Sequence, residues 1–123
     1  KIENVRFEGF IENNELPLYY AIADIFVLPS LNEFWGVTVT EAMASALPII
    51  LSDKVGSRRD LLKEGKNGFC FKNDDSGRLA SYIERFLENP ASITEMGKNS
   101  RKIIKKFDYS FCENNLRNAL VKK

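Results

Sequence analysis

The sequence predicts an α/β fold in which a parallel sheet is covered by helices on both faces and is followed by C-terminal helices. Three short apolar runs without polar alternation, at residues 25–28, 49–51 and 69–71, indicate buried parallel strands. Segments with helical spacing of apolar residues lie between and after these runs. Short strands that alternate with helices are typical of a doubly wound, layered fold.

The composition favours one globular domain and excludes several kinds of site. The chain has 123 residues, of which 44% are apolar and 28% charged, so it can bury a single core. It has no histidine, which excludes Ser–His and Cys–His nucleophilic pairs and histidine-bound metals. Two cysteines are too few for a disulfide framework and indicate free thiols in a reducing compartment. We expect no metal, no cofactor and, at a net charge of +1, no nucleic-acid partner.

The first 34 residues predict two strands separated by a helix. Residues 5–7 have a strand-like pattern that ends at Gly9, and residues 16–23 have helical spacing with Pro17 in the first turn. The apolar run at 25–28 is the second strand. Residues 29–34, which begin with proline, are expected to form a loop.

The middle of the chain predicts a helix, two strands and a short connecting helix. Residues 37–46 contain good helix formers and stop before Pro48. Ala46 stands where a helix often ends on glycine, so we expect a turn of different construction there. The runs at 49–51 and 69–71 follow as strands, with a short helix at 58–63 and a glycine-rich turn at 65–68 between them.

The last third of the chain predicts three helices. Leu79, Ile83, Phe86 and Leu87 form one apolar stripe, and Asn89-Pro90 ends that helix. Apolar residues continue at helical spacing over 93–107, and Ser110 is expected to cap a final helix.

Charge is divided unevenly along the chain. Residues 1–97 carry 10 basic and 15 acidic side chains, whereas residues 98–123 carry 8 basic and 2 acidic ones. One interpretation is an ordinary solvated helix face. The other is a basic patch that meets an anionic membrane or another domain. The sequence leaves both open.

Two candidate ligand-binding segments follow predicted strands: residues 29–41 come after the strand at 25–28, and residues 52–56 come after the strand at 49–51. Ligands of open parallel sheets bind beyond the carboxyl ends of the strands. Gly36 precedes a predicted helix, whose unpaired N–H groups suit a phosphate. Glu33 and Glu41 flank this helix start, and carboxylates accept hydrogen bonds from vicinal sugar hydroxyls. Alternatively, both glutamates are solvated surface residues, and the aromatic residues at 34 and 35 cover the core.

Several motifs together resemble one enzyme family. They are Phe7-Glu8-Gly9-Phe10, the strand Ala23-Asp24-Ile25-Phe26-Val27-Leu28-Pro29-Ser30, two glutamates separated by seven residues (Glu33 and Glu41), Glu41-Ala42-Met43-Ala44, and Gly65-Lys66-Asn67-Gly68-Phe69. With these motifs, the stretch from residue 5 to about residue 120 resembles the C-terminal domain of the group 1 retaining glycosyltransferases, which have the GT-B fold.

The resemblance implies a Rossmann-like fold in which residues 1–123 form a partial C-terminal nucleotide-sugar-binding domain of a longer enzyme. That enzyme would transfer a hexose from a nucleotide-sugar donor to a hydroxyl acceptor (a glycan, lipid or polysaccharide precursor) with retention. Its N-terminal acceptor domain would be missing here, so the isolated chain is expected to be inactive. The expected location is the cytoplasm, with a peripheral contact of the basic C-terminus at the inner membrane face.

The resemblance also implies roles for individual residues. Glu33 would be the catalytic-site residue that contacts the donor sugar, and Glu41 would hold the ribose. The expected substrate-binding residues are Glu33, Phe34, Trp35, Gly36, Val37, Thr38, Glu41, Phe10 and Ile11. The family commonly has glycine or another small residue at 34, phenylalanine at 35, and glycine at 46 and 57, where this chain has Phe34, Trp35, Ala46 and Ser57.

Two other functions are considered. The chain could be a non-catalytic nucleotide-sugar-binding subunit of a split glycosyltransferase, with a partner chain that supplies the rest of the site. It could also be a response-regulator-like domain, with Asp53 and Lys54 as the acidic and basic partners. The lack of an aspartate pair after the first strand argues against this last function.

Overall fold

Three parallel strands form the sheet in the computed structural model, which describes residues 3–121. They are β1 (Phe26–Leu28), β2 (Ile49–Ser52) and β3 (Gly68–Phe71), in the order β1-β2-β3. The register places Phe26 opposite Ile49, and Ile49 opposite Gly68. Every residue of the central strand β2 is buried, as its unbroken apolar run predicts.

Six helices accompany the sheet in the described residues. They are α1 (Leu16–Ile22), α2 (Val37–Ala44), α3 (Arg58–Leu61), α4 (Ser76–Glu88), α5 (Ala91–Ile104) and α6 (Tyr109–Val121). Their order confirms the predicted α/β fold with C-terminal helices.

The core is divided between the two faces of the sheet because alternate residues of β2 point in opposite directions. Ile49 and Leu51 pack with α2, α3 and the end of α5. Ile50 packs with residues of β3 and α4, where the Phe69 ring stacks on Tyr82 at a centroid distance of 4.5 Å. The predicted coverage of both faces is therefore confirmed.

The end of α2 corrects the expectation of an unusual turn. Ala46 adopts the left-handed conformation that glycine usually takes there, with φ +60°. The Leu47 N–H donates to the Ala42 carbonyl at 3.0 Å, and the Ala46 N–H donates to Met43 at 3.1 Å. These two bonds are the ordinary Schellman pattern, so the turn keeps its usual construction at the cost of a strained alanine.

The packing of α5 against this turn requires a glycine. A Cβ built at Gly97 would lie 2.0 Å from the Ala46 carbonyl oxygen. Gly97 is buried in the middle of α5, where glycine is otherwise unfavourable. The close approach of the two backbones therefore explains why the position is a glycine.

Three local predictions are wrong. Residues 5–7 form no strand, because no other segment within residues 3–121 pairs with them. Phe7 is 95% exposed. Leu87 lies outside the apolar stripe of α4 and is 70% exposed. The final helix is capped by Asp108 rather than Ser110, because Asp108 Oδ1 accepts the Phe111 N–H at 2.9 Å.

Within residues 3–121, none of the helices has both the length and the apolar character that crossing a bilayer requires.

Candidate functional site

The start of α2 is an uncapped helix end at the carboxyl edge of the sheet. Gly36 precedes the helix with φ +82°, and no side chain caps the first N–H groups. A Cβ at Gly36 would lie 3.2 Å from side-chain atoms of Leu28 and Val39 and 3.3 Å from Glu33. The left-handed backbone conformation favours glycine there, and the tight packing adds to that preference. The free N–H groups of this eight-residue helix can bind an anion.

The loop that carries Glu33 is fixed to the loop after β2. The Glu33 N–H donates to the Lys54 carbonyl at 3.2 Å, and the Gly56 N–H donates to the Glu33 carbonyl at 2.8 Å. The Ser52 hydroxyl donates to the Ser30 carbonyl at 2.6 Å. These bonds hold together the two loops that the sequence places at one edge of the sheet.

The Glu33 side chain lies beside a cavity of about 420 Å³. Glu33 Oε1 accepts the Trp35 N–H at 3.2 Å, which leaves hydrogen-bonding capacity on both oxygens. Asn32, Glu33, Phe34, Asp53, Lys54, Val55, Gly56, Arg58 and Arg59 line the cavity. Of the basic residues here, Lys54 was considered only as a partner of Asp53, and Arg58 and Arg59 were not predicted to lie at the site, although two adjacent arginines shortly after Gly56 are a visible signal.

Glu41 has a hydrogen-bond partner that the sequence does not predict. The Tyr20 hydroxyl donates to Glu41 Oε2 at 2.8 Å, and this contact is partly buried. Burial, followed by the hydrogen bond to Glu41 and the charge of that carboxylate, raises the pKa of Tyr20 from 10.0 to about 12. The phenol therefore remains a hydrogen-bond donor at neutral pH. The two residues are 21 positions apart, so no local pattern points to their contact.

Two cavities border Glu41, and neither reaches Glu33. One has about 430 Å³ and is lined by Trp35, Thr40, Glu41, Ala44, Leu61, Ile104 and Phe107. The other has about 240 Å³ and is lined by Asn13, Leu16, Pro17, Tyr20, Glu41, Ala44 and Ser45. Trp35 is the residue that is adjacent to both glutamates. Its backbone N–H donates a hydrogen bond to Glu33, and the residue also lines the larger of the two cavities beside Glu41.

Some of the remaining predicted site residues lie beside the candidate site, and others do not. Val37 and Thr38 form the exposed first turn of α2, beside the free N–H groups. Phe34 is 90% exposed at the rim of the Glu33 cavity. Phe10 is 87% exposed and Ile11 is half-buried in an irregular segment, and neither lines the three cavities beside the glutamates.

Residues 3–121 contain no group of three or more Cys, Asp or Glu side chains arranged to hold a metal ion. The expectation that the protein needs no metal ion is not tested by this observation and stays a prediction. Cys70 is half-buried on β3, where burial raises the pKa of its thiol, and Cys112 is exposed on α6.

Comparisons with known proteins agree on one family. A family model described as "Glycosyl transferases group 1" matches residues 1–103. The chain is 32% identical over 115 residues to the sulfoquinovosyl transferase SQD2 of Arabidopsis thaliana. The aligned region covers 91% of this chain and 22% of that protein. The chain is 37% identical over 93 residues to the alpha-monoglucosyldiacylglycerol synthase of Acholeplasma laidlawii, which covers 75% of the chain and 22% of that protein.

A solved structure supports the same family. The chain resembles the Anabaena protein Alr3699/HepE in complex with UDP-glucose, with a TM-score of 0.80 and 26% sequence identity. The match covers 98% of this chain and 33% of that one. The chain thus spans about a fifth of the two curated relatives and a third of this structural neighbour.

Proposed function

Since the chain belongs to the group 1 glycosyltransferases, we propose that it is the nucleotide-sugar-binding part of an enzyme that transfers a hexose to a hydroxyl acceptor with retention. One observation carries the proposal: the uncapped start of α2 lies between two half-buried carboxylates, each of which retains hydrogen-bonding capacity. The relative that contains bound UDP-glucose supports a nucleotide sugar as the ligand.

The proposed roles follow the chemistry of the three groups. The N–H groups after Gly36 bind the diphosphate, whose negative charge increases as the bond to the sugar breaks. Glu41 accepts hydrogen bonds from the ribose hydroxyls. Glu33 accepts hydrogen bonds from hydroxyls of the donor sugar and sets its position, which is a large part of the rate for a transfer reaction. Phe34 and Trp35 provide apolar surface beside the sugar.

Binding of the donor is tested on the full-length protein by thermal unfolding with a panel of nucleotide sugars and the matching nucleoside diphosphates. A ligand present at a hundred times its dissociation constant adds about 2.7 kcal/mol to stability. We expect one nucleotide sugar to raise the melting temperature clearly. The anomeric configuration of the product, measured by NMR with that donor, tests retention. A panel in which no nucleotide sugar raises the melting temperature would contradict the proposal.

The alternative function is a non-catalytic subunit of a split glycosyltransferase. Both alternatives predict that the isolated 123-residue chain transfers no sugar, because each assigns the acceptor site to another part of the protein or to a partner chain. They differ in the length of the gene product, since about 350 residues or more favours a complete two-domain enzyme. Sugar transfer by the isolated chain would contradict both.

We also propose that the basic face of α5 contacts an anionic membrane surface. A groove of about 560 Å³ between α1, the turn after α2, and α5 is lined by four basic residues, Lys98, Arg101, Lys102 and Lys105. None of the four forms an ion pair within residues 3–121. Their spacing places them on one side of the helix, where each adds about 1 kcal/mol to binding of anionic lipid.

Sedimentation of the full-length protein with vesicles that contain anionic lipid tests this contact. Replacement of Lys102 and Lys105 by glutamate should weaken binding at least tenfold. The same change at exposed Lys63 and Lys66 is the matched control and should have a smaller effect. Equal losses in the two variants would contradict a contact at α5.

The free thiols of Cys70 and Cys112 support a cytoplasmic location for the protein.

A further inference from the structure

The partner of Glu41 extends the proposed site to a helix that precedes β1. Tyr20 lies in α1, and its hydroxyl approaches Glu41 Oε2 at 2.8 Å, within the normal range for such a bond. A hydrogen bond to an ionised carboxylate is about twice as strong as one between neutral groups. The contact is therefore strong enough to fix the orientation of the Glu41 carboxylate.

The Tyr20 ring is itself held in place. It packs against Phe26 of β1, with a centroid distance of 6.3 Å and an interplanar angle of 51°. Glu41 lies on α2 among residues that are anchored in the core, since Val39 before it and Ala42 and Met43 after it are fully buried. Both partners of the hydrogen bond thus stand on supported elements, which is the arrangement that a positioned binding group requires.

Tyr20 occupies only part of the hydrogen-bonding capacity of Glu41. An ionised carboxylate has about four acceptor sites. Among residues 3–121, no cation pairs with Glu41, and no other side chain donates a hydrogen bond to it. A neutral donor on one oxygen leaves the negative charge in place and the second oxygen free for hydroxyl groups. A lysine or arginine partner would instead neutralise the charge that attracts those groups.

We propose that Tyr20 is a positioning residue of the nucleotide site, which holds the Glu41 carboxylate so that its free oxygen receives the two ribose hydroxyls. The inference rests on the proposed function. Tyr20 is expected to contact the carboxylate and not the nucleotide, so its effect on binding should require both Glu41 and the ribose hydroxyls.

The test compares ribose and deoxyribose ligands on the full-length protein. The probes are whichever of UDP, GDP and ADP binds the wild type most tightly, and its 2′,3′-dideoxy counterpart. Calorimetry should show that Tyr20→Phe weakens the ribose form about three- to tenfold, the effect of one hydrogen bond, and leaves the dideoxy form unchanged. Tyr19→Phe is the matched control, because Tyr19 contacts Glu8 at 3.4 Å on the exposed side of α1 and should have no effect.

A merely structural tie between α1 and α2 predicts a different result. In that case Tyr20→Phe would weaken both ligands equally or neither, and either outcome overturns the inference. If Tyr20→Phe does not fold with the carboxylate unpaired, the same substitution is made in a Glu41→Ala background, where the acceptor of the Tyr20 hydroxyl is absent. There Tyr20→Phe should cause no further loss of affinity, and a further loss would overturn the inference. A wild-type protein that binds none of the diphosphates would instead contradict the proposed function.

Discussion

Replacement of Gly56 by alanine should displace the loop that carries Glu33. A Cβ built at Gly56 lies 1.8 Å from the Phe34 carbonyl oxygen, whereas a carbon–oxygen contact needs roughly 3.3 Å. The carbonyl must therefore move by about 1.5 Å. This movement pulls apart the bond between the Gly56 N–H and the Glu33 carbonyl, which measures 2.8 Å in the native loop.

The expected loss of stability follows from the same contacts. The bond from Gly56 and the neighbouring bond from the Glu33 N–H to Lys54 each contribute about 1 kcal/mol. Overpacking adds about 1–3 kcal/mol, and the stiffer unfolded chain offsets roughly 0.4–1 kcal/mol. The domain should lose about 2–5 kcal/mol. Turnover should fall about a hundredfold, because a displacement of about 1 Å at a positioned group has an effect of that size.

Urea unfolding and steady-state kinetics of the full-length protein measure both effects. Gly77→Ala is the matched control, since a Cβ at Gly77 meets only Asp75 Oδ1, at an ordinary 3.6 Å. The control should leave stability within about 1 kcal/mol of the wild type and should not change turnover. If Gly56→Ala unfolds at the wild-type urea concentration with unchanged turnover, the loop packing described here is wrong.

Three further predictions concern α1, α2 and α5. Ala46→Gly should raise the unfolding free energy by about 0.5–1 kcal/mol, measured with urea, because it relieves a left-handed alanine; a loss of stability would contradict this. Gly97→Ala should lower the melting temperature, although alanine favours helix by about 1 kcal/mol, because its Cβ would lie 2.0 Å from the Ala46 carbonyl oxygen; a higher melting temperature would contradict the packing. Since the folded pKa of Tyr20 is raised from 10.0 to about 12, its neutral form contributes stability that is complete below pH 10 and is lost as the pH rises to 12. The difference in unfolding free energy between wild type and Tyr20→Phe should shrink over that range, and a flat difference would contradict the pKa.

Features that depend on local pattern could be predicted from the sequence. The unbroken apolar runs gave β1, β2 and β3 because strands buried on both faces need no polar alternation. Helix formers after Gly36 placed the start of α2, and Pro17 was correctly assigned to the first turn of α1. The position of the candidate site follows from these elements, since loops after parallel strands meet at one edge of the sheet.

Features that depend on distant contacts could not be predicted. The strand pattern at residues 5–7 fails because a strand needs a neighbour, and local pattern carries no information about one. The contact between Tyr20 and Glu41 joins two elements that packing brings together. Ala46 takes a glycine-like conformation because the turn between α2 and β2 is set by the surrounding fold, which outweighs the local preference of alanine.

The most direct test of the proposed site compares Glu33→Ala with Glu41→Ala in the full-length protein. Calorimetry is performed with the nucleoside diphosphate and with the corresponding nucleotide sugar, and melting curves check that each variant is folded. Glu41→Ala should weaken both ligands about ten- to a hundredfold, because a hydrogen bond to a charged group contributes about 1.5–3 kcal/mol. Glu33→Ala should leave diphosphate binding unchanged and lower turnover. If both variants unfold, or if both retain wild-type donor binding and turnover, the two glutamates are structural or solvated residues and the proposed site is wrong.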